Sequence, residues 1–318
     1  MTDQRTERTT VQVEDGVELS VLTWNLRGNA RPALLVHGLA SNACLWCGVG
    51  DFLASLGHPV AAVDLRGHGH SSKPEGGYDF ETIGADLLEV IDHLAWTDRA
   101  PVIAGQSWGA NVVLDFTAHH AGCAGGLALV DGGTIELSSR FADWPTCKAA
   151  LTPPDLRGVP FSDFEKMVRS HHPDWPESGI AGTLKNMEVQ DDGTIRPWLS
   201  LEHHLQILRH LWEHRPSELY SKISCPTTVI AADDASNARW MPGKRQEVEA
   251  AGSAIANCDV QWLRGDHDLH AQHPALVGDL IHNTPDRPSP RPPKTPGVQL
   301  PSAQPDWMAP TGDEDCVS

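Results

Sequence analysis

Basic residues are scarce in this chain, which has 24 Lys and Arg against 42 Asp and Glu and a formal net charge of −18 at pH 7. Nucleic acids and anionic membrane surfaces both attract clustered Lys and Arg. The composition therefore argues against nucleic acid and against a membrane as partners. It leaves the oligomeric state open.

Long apolar runs are also missing. The sequence has no run of about 18 apolar residues, so no membrane-spanning helix is predicted. The first residues lack the charged-then-apolar pattern of a secretory signal. We therefore expect a cytoplasmic protein.

The cysteines are few and scattered, and their number, seven, is odd. This argues against a disulfide framework and fits a reducing compartment. Cys44 and Cys47 have the C-x-x-C spacing of some redox and zinc sites, but the sequence has no second such pair. We interpret both as small, half-buried apolar side chains.

The 17 histidines raise the question of a metal. His171 and His172, like His203 and His204, are sequence neighbours, and neighbouring side chains point apart on a helix or strand. We therefore expect no metal site. The glycine-rich fingerprints of nucleotide sites are absent too, so no cofactor is predicted.

Short apolar runs alternate with helical patterns along the chain, which is typical of a mostly parallel sheet with helices on both faces. The run at 33–36 is continuously apolar, as expected for a buried parallel strand, and Thr227-Thr228-Val229-Ile230 is interpreted in the same way. Eight strands are predicted near residues 11–14, 17–24, 33–37, 60–63, 101–105, 126–131, 227–231 and 259–263.

The alternation is interrupted over residues 134–222, where helical spacing replaces the apolar strands. We predict a helical cap here, inserted after the sixth strand between two parts of one core, 1–133 and 223–283. The clearest helical spacing is that of Leu205, Leu208, Leu211 and Trp212.

A change of composition follows Asn283, where Pro, Ser, Thr and charged residues become frequent. Such a segment cannot bury enough apolar surface to fold. Residues 284–318 are therefore predicted to form a disordered, proline-rich tail.

Residues 105–109 read Gly-Gln-Ser-Trp-Gly, after a predicted strand and before a predicted helix. This is the G-x-S-x-G pattern of a nucleophile elbow. Glycines suit such a turn, because a side chain on either side of the serine would clash with adjacent backbone. The motif predicts that Ser107 presents its hydroxyl above the sheet.

Two further segments fit this arrangement. The apolar run at 33–36 ends in His37-Gly38-Leu39, as expected for a strand that opens into an oxyanion loop. The run at 227–230 ends near Asp233 and Asp234, which places carboxylates at the carboxyl end of a strand.

A third run, 260–263, leads to Gly265-Asp266-His267, so the candidate residues follow one another as Ser, Asp and His. With this order the chain resembles a cap-bearing α/β-hydrolase over roughly residues 10–283. Residues 64–71 resemble the loop after the family's fourth strand, whereas Ala231 stands where the family usually has Gly. The resemblance implies an α/β-hydrolase fold with a mostly parallel eight-stranded sheet.

The resemblance and the side-chain chemistry together suggest a role for each candidate. Ser107 is the nucleophile, His267 takes its proton and returns it to the leaving group, and Asp234 holds the imidazole in one tautomer. The backbone N–H groups of Leu39 and Trp108 are the candidate oxyanion hole.

Two alternatives for the acid stay open. Asp131 ends another apolar run at the same edge of the sheet, where some relatives of this fold recruit their acid. Asp233 is adjacent to Asp234 but should point to the other side of the strand.

Alternatives for the base are His270 and His273. Gly265-Asp266-His267 resembles the family's histidine loop, whereas His273 precedes Pro274 and resembles the start of the final helix. His267 is therefore the preferred base.

Aromatic residues of the predicted cap are candidates for a substrate pocket, because flat amphipathic rings line apolar small-molecule sites. They could equally pack the cap against the core. Arg66 and His68 could contact substrate, but we interpret their loop as an anchor for the sheet edge. The cap residues concerned are Trp144, Trp175, Trp198 and Trp212.

The sequence thus predicts a cofactor-free serine hydrolase that cleaves an ester, lactone or thioester of a small to medium, partly apolar molecule. A serine at position 107 argues against dehalogenation and epoxide opening, for which related enzymes use an aspartate nucleophile. The same triad could instead cleave a carbon–carbon bond, or an amide as iminopeptidases do, with Glu165, Glu188 or Glu202 holding a substrate amine. A non-catalytic ligand-binding protein on this fold is a third hypothesis.

Overall fold

The computed structural model describes residues 6–234 and 239–285, and eight of its strands form one sheet. The strand order is β1-β2-β4-β3-β5-β6-β9-β10, antiparallel at β1-β2 and β2-β4 and parallel elsewhere. The strands are β1 (Glu7–Gln12), β2 (Glu18–Trp24), β3 (Ala33–Val36), β4 (Val60–Val63), β5 (Val102–Gln106), β6 (Gly126–Val130), β9 (Thr227–Asp233) and β10 (Cys258–Arg264), while β7 (Met187–Val189) and β8 (Ile195–Pro197) form a separate hairpin.

Helices cover both faces of the sheet, as predicted. Leu34 and Val36 face the helices α2 and α3, whereas Ala33 and Leu35 face α1 and α11. All four residues of β3 are buried, because both sides of the central strands are covered. The core helices are α1 (Cys47–Ser55), α2 (Phe80–His93), α3 (Trp108–His119), α9 (Met241–Ala254), α10 (Leu269–Gln272) and α11 (Pro274–His282).

The segment between β6 and β9 is mostly helical, as predicted for a cap after the sixth strand of the sheet. Its last helix begins where the Ser200 side chain accepts a hydrogen bond from the His203 N–H, which is a usual N-cap contact. Its buried side includes Leu208 and Leu211 from the predicted spacing, whereas Leu205 and Trp212 are half-buried. The other buried residues are His203, His204 and Ile207. The helices are α4 (Leu137–Arg140), α5 (Trp144–Leu151), α6 (Phe161–His171), α7 (Glu177–Leu184) and α8 (Leu201–Glu213).

Three details differ from the sequence prediction. The first strand is Glu7–Gln12 rather than 11–14, and the β7-β8 hairpin was not predicted. Thr284, assigned to the tail, is buried and its hydroxyl hydrogen-bonds that of Thr228 at 3.0 Å. The rest of the predicted tail, from residue 286, lies outside the described residues.

No helix within residues 6–234 and 239–285 is long and apolar enough to cross a membrane. The exact boundaries of the cap, 134 and 222, stay a prediction.

Candidate active site

Ser107 lies at a sharp turn between β5 and α3. Its backbone has φ 54° and ψ −123°, a positive φ that side chains other than glycine rarely adopt. The Ser107 N–H donates to the Val130 carbonyl at 3.0 Å, which fixes the turn to the neighbouring strand. Backbone strain of this kind is found where a turn aims a side chain for function.

The two glycines of the motif are needed for close packing around this turn. A Cβ atom on Gly105 would lie 2.3 Å from the Gly109 carbonyl oxygen. A Cβ atom on Gly109 would lie 2.2 Å from the His37 carbonyl oxygen, which belongs to the loop after β3. Both distances are shorter than any real contact of this type, so only glycine fits.

His267 reaches the serine from the loop after β10. Its Nε2 lies 2.8 Å from Ser107 Oγ, which is hydrogen-bond distance. The Gln106 side chain donates to the His267 carbonyl at 3.1 Å and so ties the histidine loop to the elbow. The imidazole is 51% exposed, which leaves it accessible to a bound molecule.

The carboxylate bonded to His267 belongs to Asp131, and this corrects the sequence-based preference for Asp234. Asp131 Oδ2 lies 2.6 Å from His267 Nδ1. Strand register explains the difference, because Val130 pairs with Ile230 and therefore Asp131 lies level with Ala231. Asp234 follows the last residue of β9 and is three residues, or about 10 Å, beyond Ala231.

Asp131 is held by other groups on either side. Its Oδ1 accepts the Ala232 N–H at 2.8 Å and lies 2.5 Å from Lys244 Nζ. The turn after it is fixed by Asn111, whose side-chain oxygen accepts the Gly133 N–H at 2.9 Å. Lys244 also donates to the Ala232 carbonyl at 2.7 Å. The acid is therefore fixed in position before substrate arrives.

Electrostatics favour a charged carboxylate beside a basic imidazole. Burial opposes ionisation of Asp131, but the hydrogen bond and charge of His267, together with Lys244, lower its pKa. Partial desolvation opposes protonation of His267, but the hydrogen bond and charge of Asp131, helped by Asp268, raise its pKa above 6.5. Lys244 acts in the opposite direction on the imidazole and lowers that pKa.

These opposing effects predict the pH dependence of Lys244→Met. His267 must be neutral to take a proton, so kcat/KM in the unmodified protein should fall as pH drops through an apparent pKa above 6.5. Removing the Lys244 cation raises the His267 pKa further and should shift this fall to higher pH. Arg245→Met is the control, because Arg245 pairs with the exposed Asp233, and its profile should be unchanged. A shift to lower pH in Lys244→Met would contradict this account.

Two backbone amides near Ser107 are available to an oxyanion. Among the hydrogen bonds within the described chain, none is donated by the N–H of Leu39 or of Trp108. Trp108 is the first residue of α3, so its N–H has no acceptor inside the helix. Both residues line the same cavity as Ser107.

Two buried histidines hold the loop that contains Leu39. His37 Nδ1 bonds the Gly38 carbonyl at 2.7 Å, and its Nε2 accepts the Leu65 N–H at 3.0 Å. His68 Nε2 accepts the Ala40 N–H at 3.2 Å, and burial lowers the pKa of both rings. Each ring is therefore neutral, with one nitrogen donating and the other accepting. This agrees with a structural role for the loop containing His68.

Arg66 has a structural contact as well. Its guanidinium makes two hydrogen bonds of 2.7 Å to the carboxylate of Asp86 on α2, and both side chains are buried. This bidentate pair fixes the loop after β4 to the helix.

Among the remaining acid and base alternatives, Asp233 and His273 are bonded to other groups. Asp233 accepts from Arg245 at 2.7 Å at the surface. His273 Nε2 bonds the Arg264 carbonyl at 3.1 Å, and the His270 ring lies buried against Trp46. Asp234 is half-buried and lines the cavity that contains Ser107.

Ser107 opens into a cavity of about 560 Å³. This volume lies within the range of roughly 300–1,000 Å³ usual for small-molecule sites. The wall opposite Ser107 is provided by the cap and by the start of α9. Its apolar lining includes Ile135, Leu137, Phe141, Leu208, Leu211 and Trp240.

A smaller compartment of about 160 Å³ also contains Ser107, His267 and Leu39. Its other lining is more polar and includes His172, Asn186 and Asp268. The serine therefore lies where a large apolar space meets a small polar one.

The four cap tryptophans have different positions. Trp175 lines the small compartment and its indole N–H donates to Asp266 at 3.0 Å, whereas Trp198 lines a separate cavity. Trp144 and Trp212 pack against each other, with ring centroids 6.1 Å apart, and are not among the residues that line either compartment at Ser107. The tryptophans that line the large cavity at Ser107 are Trp108 and Trp240.

The cap carboxylates proposed for an amine lie at the surface or in ion pairs. Glu165 pairs with Arg169, and Glu188 pairs with Arg196. Glu202 is exposed. None of the three lines either compartment at Ser107 within the described chain.

Sequence reasoning missed Lys244 and Gln106 as parts of the site. Lys244 is one of several charged residues of α9, and nothing in its sequence context distinguishes it. Gln106 lies inside the G-x-S-x-G motif, but its contact with the histidine loop depends on the fold.

A model of the alpha/beta hydrolase family matches residues 33–280 of the chain. The chain is 34% identical over 110 residues to a non-heme haloperoxidase of Rhodococcus erythropolis. The aligned region covers 35% of this chain and 38% of that protein. It is also 34% identical over 168 residues to an esterase of Mycobacterium tuberculosis. That alignment covers 48% of this chain and 54% of the esterase. The matches thus span about two fifths to one half of these relatives.

The crystal structure of E-2-(acetamidomethylene)succinate hydrolase superposes with a TM-score of 0.69 at 20% identity. The superposition covers 88% of this chain and 99% of the other. At this identity the likeness concerns the fold.

Proposed function

We propose that this chain, which belongs to the alpha/beta hydrolase family, is a serine hydrolase that cleaves an ester, lactone or thioester of a small to medium, partly apolar molecule. The observation that carries the proposal is the chain of contacts from Ser107 Oγ through His267 to Asp131, at 2.8 and 2.6 Å. A weakly acidic hydroxyl needs such a base to become a nucleophile. The relationship to an esterase agrees with it.

The geometry supports one sequence of steps. Ser107 Oγ attacks the substrate carbonyl carbon while His267 Nε2 takes the hydroxyl proton, and Asp131 stabilises the imidazolium that forms. The oxyanion accepts hydrogen bonds from the N–H groups of Leu39 and Trp108. His267 then gives its proton to the leaving group, which leaves an acyl-enzyme on Ser107. Water activated by His267 hydrolyses that ester and restores the serine.

The two compartments suggest where the acyl group and the leaving group of the substrate bind. The large apolar cavity suits an acyl group, and the small polar compartment suits a leaving group of modest size. No metal or cofactor is needed for these steps. A cytoplasmic location and a small-molecule substrate remain part of the proposal.

A series of 4-nitrophenyl esters tests this assignment. Burying a methylene contributes about 0.8 kcal/mol, or roughly a fourfold change in kcat/KM. We expect kcat/KM to rise by about this factor for each added methylene from acetate upward, until the acyl chain fills the cavity. Leu208→Trp, which places a larger side chain in the cavity wall, should shorten the preferred acyl chain while acetate turnover is retained.

Leu276→Trp is the matched control, because Leu276 is 47% exposed on α11 and should leave the chain-length profile unchanged. Amino-acid arylamides and a carbon–carbon substrate next to a ketone are assayed in parallel. Turnover of either without ester turnover would support the amidase or carbon–carbon alternative. No turnover of any substrate, with ligand binding unaffected by Ser107→Ala, would support a non-catalytic role.

A further inference from the structure

Cys44 and Cys47 are placed so that a bond between their sulfur atoms requires little backbone movement. They lie at either end of the tight turn that leads into α1, where the Cys47 N–H donates to the Cys44 carbonyl. Such a turn keeps the two Cα atoms within about 7 Å. Disulfide-bonded residues have Cα atoms roughly 4.4–6.8 Å apart.

Two cationic side chains converge on Cys44. Lys185 Nζ lies 3.6 Å from Cys44 Sγ, and Arg8 Nη2 lies 3.9 Å from it. Arg8 and Lys185 are exposed, whereas Cys44 is buried beneath them, so its sulfur is one side-chain layer from solvent. A sulfur beside cations is held in the thiolate form, which is the nucleophile of thiol chemistry.

The protonation of the pair is unequal. The hydrogen bond from Cys47 lowers the pKa of Cys44 to about 6 against the effect of burial, with Lys185 and Arg8 lowering it further and Asp64 raising it. The same hydrogen bond and burial raise the pKa of Cys47, which Asp51 raises further. These effects favour ionisation of Cys44 over ionisation of Cys47.

Three other cysteines of the described chain have a different environment. Burial is the first cause that raises the pKa of Cys123, Cys147 and Cys225. These thiols are therefore less reactive than an ordinary cysteine.

We propose that Cys44 and Cys47 are a reversible redox pair, in which Cys44 is oxidised by hydrogen peroxide and Cys47 closes an intramolecular disulfide. The Cys44 sulfur attacks one oxygen of the peroxide, the O–O bond breaks, and a sulfenic acid forms while hydroxide leaves and is protonated to water. The Cys47 sulfur then attacks the Cys44 sulfur, the S–O bond breaks, and a second water leaves with the Cys47 proton. The pair loses two electrons, and peroxide is reduced to two waters. Two equivalents of a thiol such as glutathione reverse the reaction by thiol–disulfide exchange.

The test uses the full chain, reduced and then treated with hydrogen peroxide at pH 7. Remaining thiols are blocked with N-ethylmaleimide, and intact mass and peptide mapping are recorded. We expect a loss of two hydrogen atoms and of two labels, both located at Cys44 and Cys47 and recovered with glutathione. Cys47→Ser should stop at a sulfenic acid on Cys44 that dimedone traps, and Cys44→Ser should block the reaction.

Lys185→Met supplies a measurement that does not remove a cysteine. It should slow alkylation of Cys44 by iodoacetamide at pH 7 and move the midpoint of the rate–pH curve upward. Lys222→Met, which removes an exposed lysine without a contact to either thiol, is the control. The proposal is overturned if peroxide leaves both residues fully labelled, or if oxidation yields no bond between them.

Discussion

Ser107→Ala should lower kcat for ester hydrolysis by about 10⁶-fold, because the variant has no hydroxyl for His267 to activate. The variant should still be faster than the uncatalysed reaction in water, because it binds substrate and keeps the Leu39 and Trp108 amides. The measurement is turnover of a medium-chain 4-nitrophenyl ester, with circular dichroism to show that the fold is retained.

Ser139→Ala is the matched control, because Ser139 is an exposed serine of α4 outside the cavity at Ser107. Its kcat should equal that of the unmodified protein. If Ser107→Ala retained more than about a hundredth of the activity, a different nucleophile would be required.

Asp131→Asn should lower kcat by about 10⁴-fold, whereas Asp234→Asn should change it only a few-fold. Asparagine keeps the shape of Asp131 but cannot hold His267 in the required tautomer or stabilise its charge. Loss of the Asp131 charge also lowers the His267 pKa, so any residual activity should extend to lower pH. The measurement is kcat and kcat/KM as a function of pH for both variants.

The reverse result, with Asp234→Asn inactive and Asp131→Asn active, would restore the assignment made from sequence. It would require β9 and the loop after it to bring Asp234 to His267 when substrate is bound. Equal losses in both variants would show that the two carboxylates act together.

The central strands β3 and β4 could be predicted from sequence because they are continuous apolar runs. Ala33–Val36 and Val60–Val63 are found where they were predicted, since both faces of these strands are buried. The first strand was predicted at 11–14 instead of Glu7–Gln12, because only one of the six residues of the observed strand is buried. The β7-β8 hairpin was missed because each strand has only three residues, too few to show a pattern.

The candidate site shows a different limit. The G-x-S-x-G pattern and the histidine loop are local, so Ser107 and His267 could be singled out without a structure. The choice between Asp131 and Asp234 depends on how far β9 extends beyond β6, which is a matter of strand register. Asp131 precedes Gly132 and Gly133, which indicate a sharp turn at the end of the strand. This signal could have favoured Asp131 over Asp234 as the acid.

The site's environment depends on contacts between distant parts of the chain. Lys244 meets Asp131 across more than a hundred residues, and Lys185 meets Cys44 across a similar distance. Neither lysine has a local pattern that distinguishes it from other charged helix residues. The cations beside Cys44, on which the redox proposal depends, therefore could not be found from the C-x-x-C spacing alone.

The most direct test of the account is intact-mass measurement of the labelling rate with a small fluorophosphonate, which reacts only with an activated serine. We expect one adduct on Ser107 in the unmodified protein and at the same rate in Asp234→Asn, a much slower reaction in Asp131→Asn, and none in Ser107→Ala or His267→Ala. An adduct that persists in Ser107→Ala, or a rate that depends on Asp234 and not on Asp131, would contradict a nucleophile activated by His267 and Asp131.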